Sequence, residues 1–205
     1  MGAGQLATSL GLARDVIATL GRAGLGLVFG VVVGVLAGLG TGRLGARQSF
    51  ADRALAFVRS IPPVVVLPAF LLLFGFNDLA RVSTVAFGCA WPMALAVAEV
   101  MHTPRSLRRE MLDLAGTTRW RARAWTEPWE SLPELAVGLK SSASTSVIVA
   151  VVCEMVAGSA HGLGSRIVSA QIANDTLSLA LSIAVAGGVG YVLNRACEAL
   201  ECRSV

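Results

Sequence analysis

The sequence has little charge for its length. Charged residues make up 15% of its 205 residues, and the single lysine is Lys140. Soluble domains usually carry about a quarter charged residues, whereas here 55% of the residues are hydrophobic and the mean hydropathy is +0.69. Most of the chain therefore has no water to face, and the composition favours a protein embedded in a membrane.

The sequence also lacks the usual signals of catalysis and metal binding. No GxxxxGK[ST] phosphate loop occurs, so the chain cannot bind and hydrolyse ATP by that route. His102 and His161 are isolated from other ligand residues, and we expect no metal and no cofactor in this chain. Ser159 lies two residues from His161, but nothing nearby predicts the oxyanion hole of a serine protease. The four cysteines show no zinc-type spacing, which favours free buried thiols.

Five apolar runs are each long enough for a membrane helix, which needs about 20 mostly apolar residues. They cover about residues 23–42, 54–76, 82–101, 135–157 and 177–199. The sequence therefore predicts an all-α integral membrane protein with about five transmembrane helices. Residues 1–22 would form an N-terminal segment outside the membrane or at its interface. Residues 23–205 would form one transmembrane domain, with a large polar loop at residues 102–134.

The basic residues are distributed unevenly between the two sides of the predicted membrane. If the 102–134 loop is cytoplasmic, twelve arginines lie in cytoplasmic segments and four in external ones, and Lys140 falls inside the fourth helix. Cytoplasmic segments of membrane proteins are enriched in positive charge. The distribution therefore predicts that the loop and the C-terminus are cytoplasmic and that the N-terminus is outside.

Glycine recurs at every fourth position of the first apolar run. These residues are Gly26, Gly30, Gly34, Gly38 and Gly42. In a helix this spacing forms a stripe along one face, where the backbone of another helix can approach closely. We interpret the stripe as a helix-packing surface.

Three prolines lie in the second apolar run, at Pro62, Pro63 and Pro68. Proline removes a backbone donor and clashes with the preceding turn, so we expect the second helix to be interrupted. Broken helices at membrane depth are tolerated where they line a cavity or are buried in protein. A kink needed for packing and a wall of a translocation pathway are both open at this point.

Glu154 is an acid within the fourth apolar run, in VIVAVVCEMVAG, near its predicted outer end. An ionisable group inside a membrane is costly and often functional. Glu154 could line a translocation pathway. It could also be hydrated at the interface or bonded to a neighbouring helix.

The 102–134 loop has a pattern of its own. It contains six arginines, apolar residues at helical spacing, and an acid and a glycine six residues apart, Glu110 and Gly116, in EMLDLAG. Further on, Leu132 and Pro133 lead into ELAVGLK. A loop built in this way on a membrane protein predicts a docking surface.

Together with IPPVVVLPAFLLLFGFNDLARV, VVCEMVAGSAHGLGSRI and the glycine-rich first helix, this loop resembles the permease subunits of bacterial ABC importers of the nitrate, sulfonate and taurine type. The resemblance covers about residues 20–201. Met111 and Leu112 replace two alanines of the family's loop pattern, and family members usually carry one more N-terminal helix. The resemblance implies a type I importer permease core, similar to MetI, in the inner membrane of a bacterium.

The resemblance also implies a function. The chain would be the transmembrane permease subunit of an ATP-driven importer for a small solute, such as a sulfonate, taurine or nitrate anion. It would pair with a second permease subunit, alike or different, and receive solute from an extracytoplasmic binding protein. The 102–134 loop would couple it to separate ATPase subunits, which bind ATP and magnesium, and the chain itself would have no enzymatic activity and no nucleic-acid partner. The residues implied for ATPase coupling are Glu110, Asp113, Gly116, Trp120 and Trp125, and the candidate pathway residues are Pro62, Pro63, Pro68 and Glu154.

Two other functions fit parts of the pattern. An ion-coupled secondary transporter could use Glu154 as its proton carrier, although the loop pattern has no role in that scheme. A non-transporting assembly or regulatory membrane subunit fits the altered loop motif and the number of predicted helices.

Overall fold

The computed structural model describes residues 3–42, 48–102 and 132–201. These ranges form seven α-helices: α1 (Ala3–Gly42), α2 (Gln48–Arg59), α3 (Pro63–Phe74), α4 (Asp78–His102), α5 (Leu132–Ala157), α6 (Leu163–Ile172) and α7 (Thr176–Glu201). Four segments in these ranges are long and apolar enough to cross a membrane: Gly11–Thr41, Asp78–Val100, Glu134–Ala157 and Thr176–Ala196. The all-helical membrane fold predicted from the sequence is confirmed.

Helix α4 lies at the centre of the bundle, where it contacts α1, α3 and α5. Its side chains Val85 and Cys89 are completely buried and pack with Leu67 of α3 and Ala150 of α5. Ser142 of α5 donates a hydrogen bond to the carbonyl oxygen of Cys89 (2.9 Å), and the Cys89 thiol donates to the carbonyl oxygen of Ser142 (3.3 Å). The core is therefore apolar packing crossed by this pair of hydrogen bonds between α4 and α5.

The glycine stripe of α1 packs directly on α4. The glycines that face α4 are Gly26, Gly30, Gly34 and Gly38. A Cβ atom on Gly30 would lie 2.6 Å from the Cβ of Cys89, and one on Gly38 would lie 2.6 Å from the carbonyl oxygen of Ala94. These spaces are too small for any side chain, so α1 and α4 lie in close contact at these four positions, which we call the glycine seam. The environment of Gly42, the last residue of α1, is outside the part that the structure describes.

The second predicted span consists of two helices, α2 and α3. Pro62 is extended (φ −60°, ψ 128°), and Pro63 begins α3, where a missing N–H removes no helix hydrogen bond. The predicted interruption is thus confirmed at this pair. Pro68 lies inside α3, which continues to Phe74, so the expectation that it breaks the helix was wrong. The neighbouring Leu67 is completely buried, and its packing offsets the one hydrogen bond that Pro68 cannot make.

Helix α1 begins at Ala3, so the predicted start of the first helix at residue 23 was wrong. Arg14, Asp15 and Arg22 end the apolar run but do not break a helix, and the backbone continues through them. At 1.5 Å per residue, the 40 residues of α1 span about 60 Å. This length exceeds the ~30 Å hydrocarbon core of a bilayer.

The remaining predicted spans agree with α4, α5 and α7 to within a few residues. Helix α6 was not predicted, because its ten residues are too short to cross a membrane. It lies between α5 and α7 in the chain and contacts both of them, as well as α1. We call the end of the bundle where α4 begins, α5 ends and α6 lies the α6 end.

Candidate functional site

Glu154 lies at the α6 end and is completely buried. Its Oε1 atom accepts a hydrogen bond from Nη1 of Arg22 (2.6 Å). Its Oε2 atom accepts from the hydroxyl of Thr19 (2.9 Å) and from the backbone N–H of Gly164 (3.0 Å). Both carboxylate oxygens are therefore bonded to neighbouring helices, which is one of the arrangements that the sequence left open.

Arg22 connects α1 with three other parts of the bundle. Besides the ion pair with Glu154, its Nη1 donates to the carbonyl oxygen of His161 (2.8 Å), and its Nε donates to Oδ1 of Asp78 (2.9 Å). The same Asp78 oxygen accepts from Nη1 of Arg81 (2.8 Å), whose other terminal nitrogen donates to the carbonyl oxygen of Gly158. The Arg22 and Arg81 side chains are 11% and 8% exposed, so both charges depend on these partners.

The first turn of α6 is held by side chains from other helices. Gly162 precedes the helix and has no side chain to cap it. The backbone N–H of Gly162 donates to Oδ1 of Asp15 (3.1 Å), and that of Leu163 donates to the hydroxyl oxygen of Thr19 (2.9 Å). The N–H of Gly164 donates to Glu154. The free donors of a helix N-terminus need such acceptors, so α1 and α5 supply what the sequence of α6 lacks.

Two glycines make this arrangement possible. Gly162 has φ +153°, and a Cβ atom there would lie 2.5 Å from the Glu154 carboxyl group. A Cβ atom on Gly164 would overlap the carbonyl oxygen of Val151 in α5. The backbone of α6 can therefore approach α5 this closely only with glycine at both positions.

A further ion pair lies on the same face of α1. Arg166 of α6 contacts Oδ2 of Asp15 through Nη1 (3.2 Å), and Nδ1 of His161 lies 4.0 Å from Oδ1 of Asp15. The three carboxylates and three guanidinium groups that form these ion pairs balance in charge. We call this set the charged cluster: Asp15, Thr19, Arg22, Asp78, Arg81, Glu154 and Arg166.

The geometry of the cluster is that of a structural anchor. Burial of unpaired charges is expensive, and removing one partner of a buried ion pair typically costs about 3–5 kcal/mol.

Ser159 donates to the backbone carbonyl oxygen of His161 (2.8 Å), and it shares a hydrogen bond with Ser165. The serine and the imidazole are not arranged as a nucleophile and its base. Among the described residues, no group of three His, Cys, Asp or Glu side chains is placed to hold a metal ion.

The three prolines predicted to line a pathway, Pro62, Pro63 and Pro68, lie directly before α3, at its start and within it. Pro63 lies beside Gly88 of α4 and Val149 of α5, since a Cβ atom on Gly88 would be 3.1 Å from Cγ of Pro63 and 3.3 Å from Cγ2 of Val149. Val149 precedes Glu154 by five residues on α5. The role of these prolines and of Glu154 in a pathway stays a prediction. The predicted coupling residues lie outside the described part of the chain: Glu110, Asp113, Gly116, Trp120 and Trp125.

The α1 half of the cluster was not predicted, because residues 1–22 were expected to lie apart from the transmembrane domain. A signal was nevertheless present. Asp15, Thr19 and Arg22 are spaced by four and three residues, so they lie on one face of a helix. An acid, a hydroxyl and a base on one face, directly before an apolar run, indicate a helix that continues and bonds to a neighbour.

A helical bundle with four membrane-length segments and an internally neutralised charged cluster defines a multi-pass membrane protein. The chain belongs to the family of the binding-protein-dependent transport system inner membrane component, whose model matches residues 30–197. The charged residues of α1 precede the matched region. The resemblance inferred from the loop and the apolar runs is therefore confirmed at the level of the family.

Individual proteins of related sequence carry transport names. The chain is 24% identical over 186 residues to a protein named as the aliphatic sulfonates transport permease SsuC of Bacillus subtilis, covering 88% of this chain and 65% of that protein. It is 24% identical over 188 residues to the bicarbonate transport system permease protein CmpB of Synechococcus elongatus, covering 90% of this chain and 66% of that protein. The chain thus spans slightly less than two thirds of the length of these relatives.

A solved structure supports the fold. A chain from an inward-facing form of the MetNI methionine ABC transporter superposes with a TM-score of 0.80 and 20% sequence identity, and the match covers all of both chains. The predicted type I importer permease fold is confirmed by this likeness.

Proposed function

We propose that this chain is a transmembrane permease subunit of an ATP-driven importer for a small anion. The observation that carries the proposal is the family match over residues 30–197, which includes the end of α1, all of α2 to α6 and most of α7. The apolar bundle of α4 and its neighbours supplies the membrane-spanning body that such a subunit needs. The names of two relatives, which refer to sulfonates and to bicarbonate, support an oxyanion as the solute class.

The proposed partners follow from the absence of a phosphate loop in this sequence. ATP and magnesium would bind to a separate ATPase subunit, which docks on the loop at residues 102–134. A second permease subunit, identical or different, would complete the pathway in the membrane. An extracytoplasmic binding protein would deliver the solute. By the distribution of basic residues, the α6 end would face that protein.

The geometry of Glu154 supports this proposal over an ion-coupled transporter. A proton carrier must exchange protons with both sides of the membrane. The Glu154 carboxylate is completely buried, and three donors from α1 and α6 occupy its two oxygens. This arrangement favours a structural contact with Arg22 over proton transfer.

The proposal is tested by transport in proteoliposomes. The subunit is reconstituted with the ATPase and the binding protein encoded beside it, and uptake of labelled methanesulfonate, taurine, nitrate and bicarbonate is measured. We expect uptake of at least one of these anions that requires ATP on the ATPase side and is unaffected by a protonophore. Uptake that proceeds without ATP and stops with the protonophore would instead establish the ion-coupled alternative.

The coupling role of the loop needs its own variants. A valine at Gly116 would strain any backbone conformation that only glycine adopts readily. We therefore expect Gly116→Val to leave the subunit in the membrane while ATP-driven uptake is lost, and Glu110→Ala to lower ATPase retention during purification. Gly187→Ala is the control, because nothing lies within 4 Å of a Cβ at that position. Normal uptake by the double variant of Gly116 and Glu110 would contradict the coupling role.

A further inference from the structure

Helix α6 cannot hold its own first turn. Its N-cap residue is Gly162, and the three successive N–H groups from Gly162 to Gly164 donate to Asp15, Thr19 and Glu154. Two of these acceptors belong to the N-terminal half of α1. That half of α1 is more than 130 residues away in sequence and precedes the region matched by the family model.

We propose that Asp15 and Thr19 are positioning residues for solute uptake, because they hold the first turn of α6 at its end of the bundle. The effect on uptake rests on the function proposed above. The attachment of α6 to α1 does not, and it can be measured without any solute.

The hydroxyl of Thr19 is the central contact in this attachment. Its oxygen accepts from the N–H of Leu163 (2.9 Å), and its proton is shared between Oε2 of Glu154 (2.9 Å) and the Asp15 carbonyl oxygen of its own helix (3.1 Å). Thr19 and Leu163 are both completely buried, so water does not replace a lost partner. One hydroxyl thus joins α1, α5 and α6.

Asp15 adds an attachment at the rim of the cluster. Its Oδ1 accepts the N–H of Gly162 (3.1 Å), and its Oδ2 pairs with Arg166 one turn further along α6 (3.2 Å). A carboxylate that contacts both the start and the first turn of a helix limits its rotation as well as its separation. The side chain of Asp15 is 14% exposed, so solvent screens this pair only partly.

The position of α6 in the chain makes this attachment consequential. A short turn, in which Asn174 has φ +52°, joins its C-terminal end to α7. Transport by alternating access requires packed helices to move as rigid bodies. With its first turn bonded to α1 and α5, α6 moves with these two helices, and the turn at residues 173–175 takes up the displacement relative to α7.

The attachment is tested by amide hydrogen exchange on the assembled transporter in nanodiscs, without solute. Thr19→Val keeps the shape of the side chain but removes the hydroxyl. We expect exchange across residues 162–166 to be about tenfold faster, because three helices lose a shared hydrogen-bond partner. Thr19→Ser restores the hydroxyl and should return exchange to within about twofold of the original rate. Thr41→Val is the matched control, since the Thr41 hydroxyl donates to the Gly38 carbonyl oxygen of its own helix.

A second variant keeps the test informative if Thr19→Val does not fold. Asp15→Asn retains an acceptor for Gly162 but loses the charge that faces Arg166, so we expect a smaller increase in exchange, about threefold. Unchanged exchange over residues 162–166 in both Thr19→Val and Asp15→Asn would overturn the attachment.

Uptake then tests the positioning role. In Thr19→Val we expect ATP hydrolysis to continue while uptake per ATP falls about tenfold, with recovery in Thr19→Ser. Faster exchange together with normal uptake per ATP would overturn the positioning role and leave only a structural one. If the original protein shows no uptake of any anion, the proposed function fails, while the exchange result still decides whether α1 holds α6.

Discussion

The two halves of α1 are attached to the bundle by different physical means. Between Gly26 and Gly38, the glycine seam brings the α1 backbone against α4 through shape alone. Between Asp15 and Arg22, side chains of α1 reach α4, α5 and α6 through ion pairs and hydrogen bonds. The seam depends on the absence of side chains, and the cluster depends on the presence of specific ones.

This difference affects how each half responds to substitution. In the seam, an added side chain forces α1 and α4 apart by an amount that depends on its size. The loss of stability therefore rises gradually from a methyl group to larger side chains. In the cluster, loss of one member removes a partner from a buried charge or donor, so the cost is large at once. Substitutions in the cluster, in the seam and outside both should therefore differ in the size of their effect on stability.

Removal of the central carboxylate should have the largest effect. Glu154→Ala removes one of the two carboxylates that pair with the buried Arg22 and leaves the N–H of Gly164 without its acceptor, so we expect a loss of about 3–5 kcal/mol in the free energy of unfolding. Chemical unfolding of the purified subunit in mixed micelles measures this loss. Glu154→Gln should be intermediate, because its amide group would place N–H donors against other donors. A loss below about 1 kcal/mol for Glu154→Ala would show that the cluster is not an anchor.

A methyl group in the seam should have the next largest effect. In Gly34→Ala the new Cβ would overlap the carbonyl oxygen of Ala90 and lie 2.9 Å from the Cβ of Met93. We expect a loss of about 1–3 kcal/mol. Gly24→Ala in the same helix is the control, because nothing lies within 4 Å of a Cβ there. That change should be neutral or stabilising by up to about 1 kcal/mol, and equal effects at the two glycines would argue against a tight seam.

The loss of a neutral hydrogen bond should lower the free energy of unfolding less than either of these changes. Ser142→Ala removes the hydroxyl that donates to the Cys89 carbonyl oxygen between α5 and α4. Hydrogen bonds between membrane helices contribute about 0.6 kcal/mol on average, and a loss of about 0.5–1.5 kcal/mol is expected here. The exposed neighbour Ser141 provides the comparison, since Ser141→Ala should change stability by less than about 0.5 kcal/mol. A loss as large as that of Glu154→Ala would remove the distinction between charged and neutral contacts.

The smallest effect should come from an exposed carboxylate outside the cluster. Asp175 caps α7, where its oxygens accept from the N–H (3.1 Å) and the hydroxyl (2.6 Å) of Ser178. These hydrogen bonds hold the pKa of Asp175 below its ordinary value. Its contribution to stability is therefore complete above about pH 4, the ordinary range of an aspartate, and is lost as the pH falls through the lowered pKa.

Amide exchange at Ser178 measures this cap. We expect faster opening at acidic pH, beyond the intrinsic pH dependence of exchange, in the original protein but not in Asp175→Asn, which caps without titrating. The same pH dependence in both proteins would assign the effect to another group.

The seam illustrates what local sequence can predict. A glycine at every fourth position defines a helix face without side chains. Such a face is typical of a close contact between two helices. The break at Pro62 and Pro63 is similarly local, because proline restricts its own backbone and removes its own donor. Pro68 shows the limit of this reasoning. Its cost to α3 is offset by the burial of Leu67, which depends on α4 and α5.

The charged cluster could be predicted only in part. The sequence marked Glu154 as unusual, because a lone acid within an apolar run needs a partner. It did not identify Arg22 as that partner, since 132 residues separate the two. Nor did it indicate that the glycines around Leu163 begin a helix, because that helix has no capping side chain of its own. These residues meet because the bundle packs α1 against α4 and α5.

By itself, the sequence determined three things about this protein. It lies in a membrane, its apolar segments form the main helices, and it is similar to a family of transporter subunits. Each of these follows from properties that a residue carries along its own stretch of chain, such as hydropathy, helical spacing and the stiffness of proline. Only the tertiary structure decided that α1 continues to Ala3, and that Asp15 and Thr19 cap α6 while Arg22 neutralises Glu154. Those contacts depend on distance in space, and a buried charge acquires its partner only when helices distant in sequence are packed together.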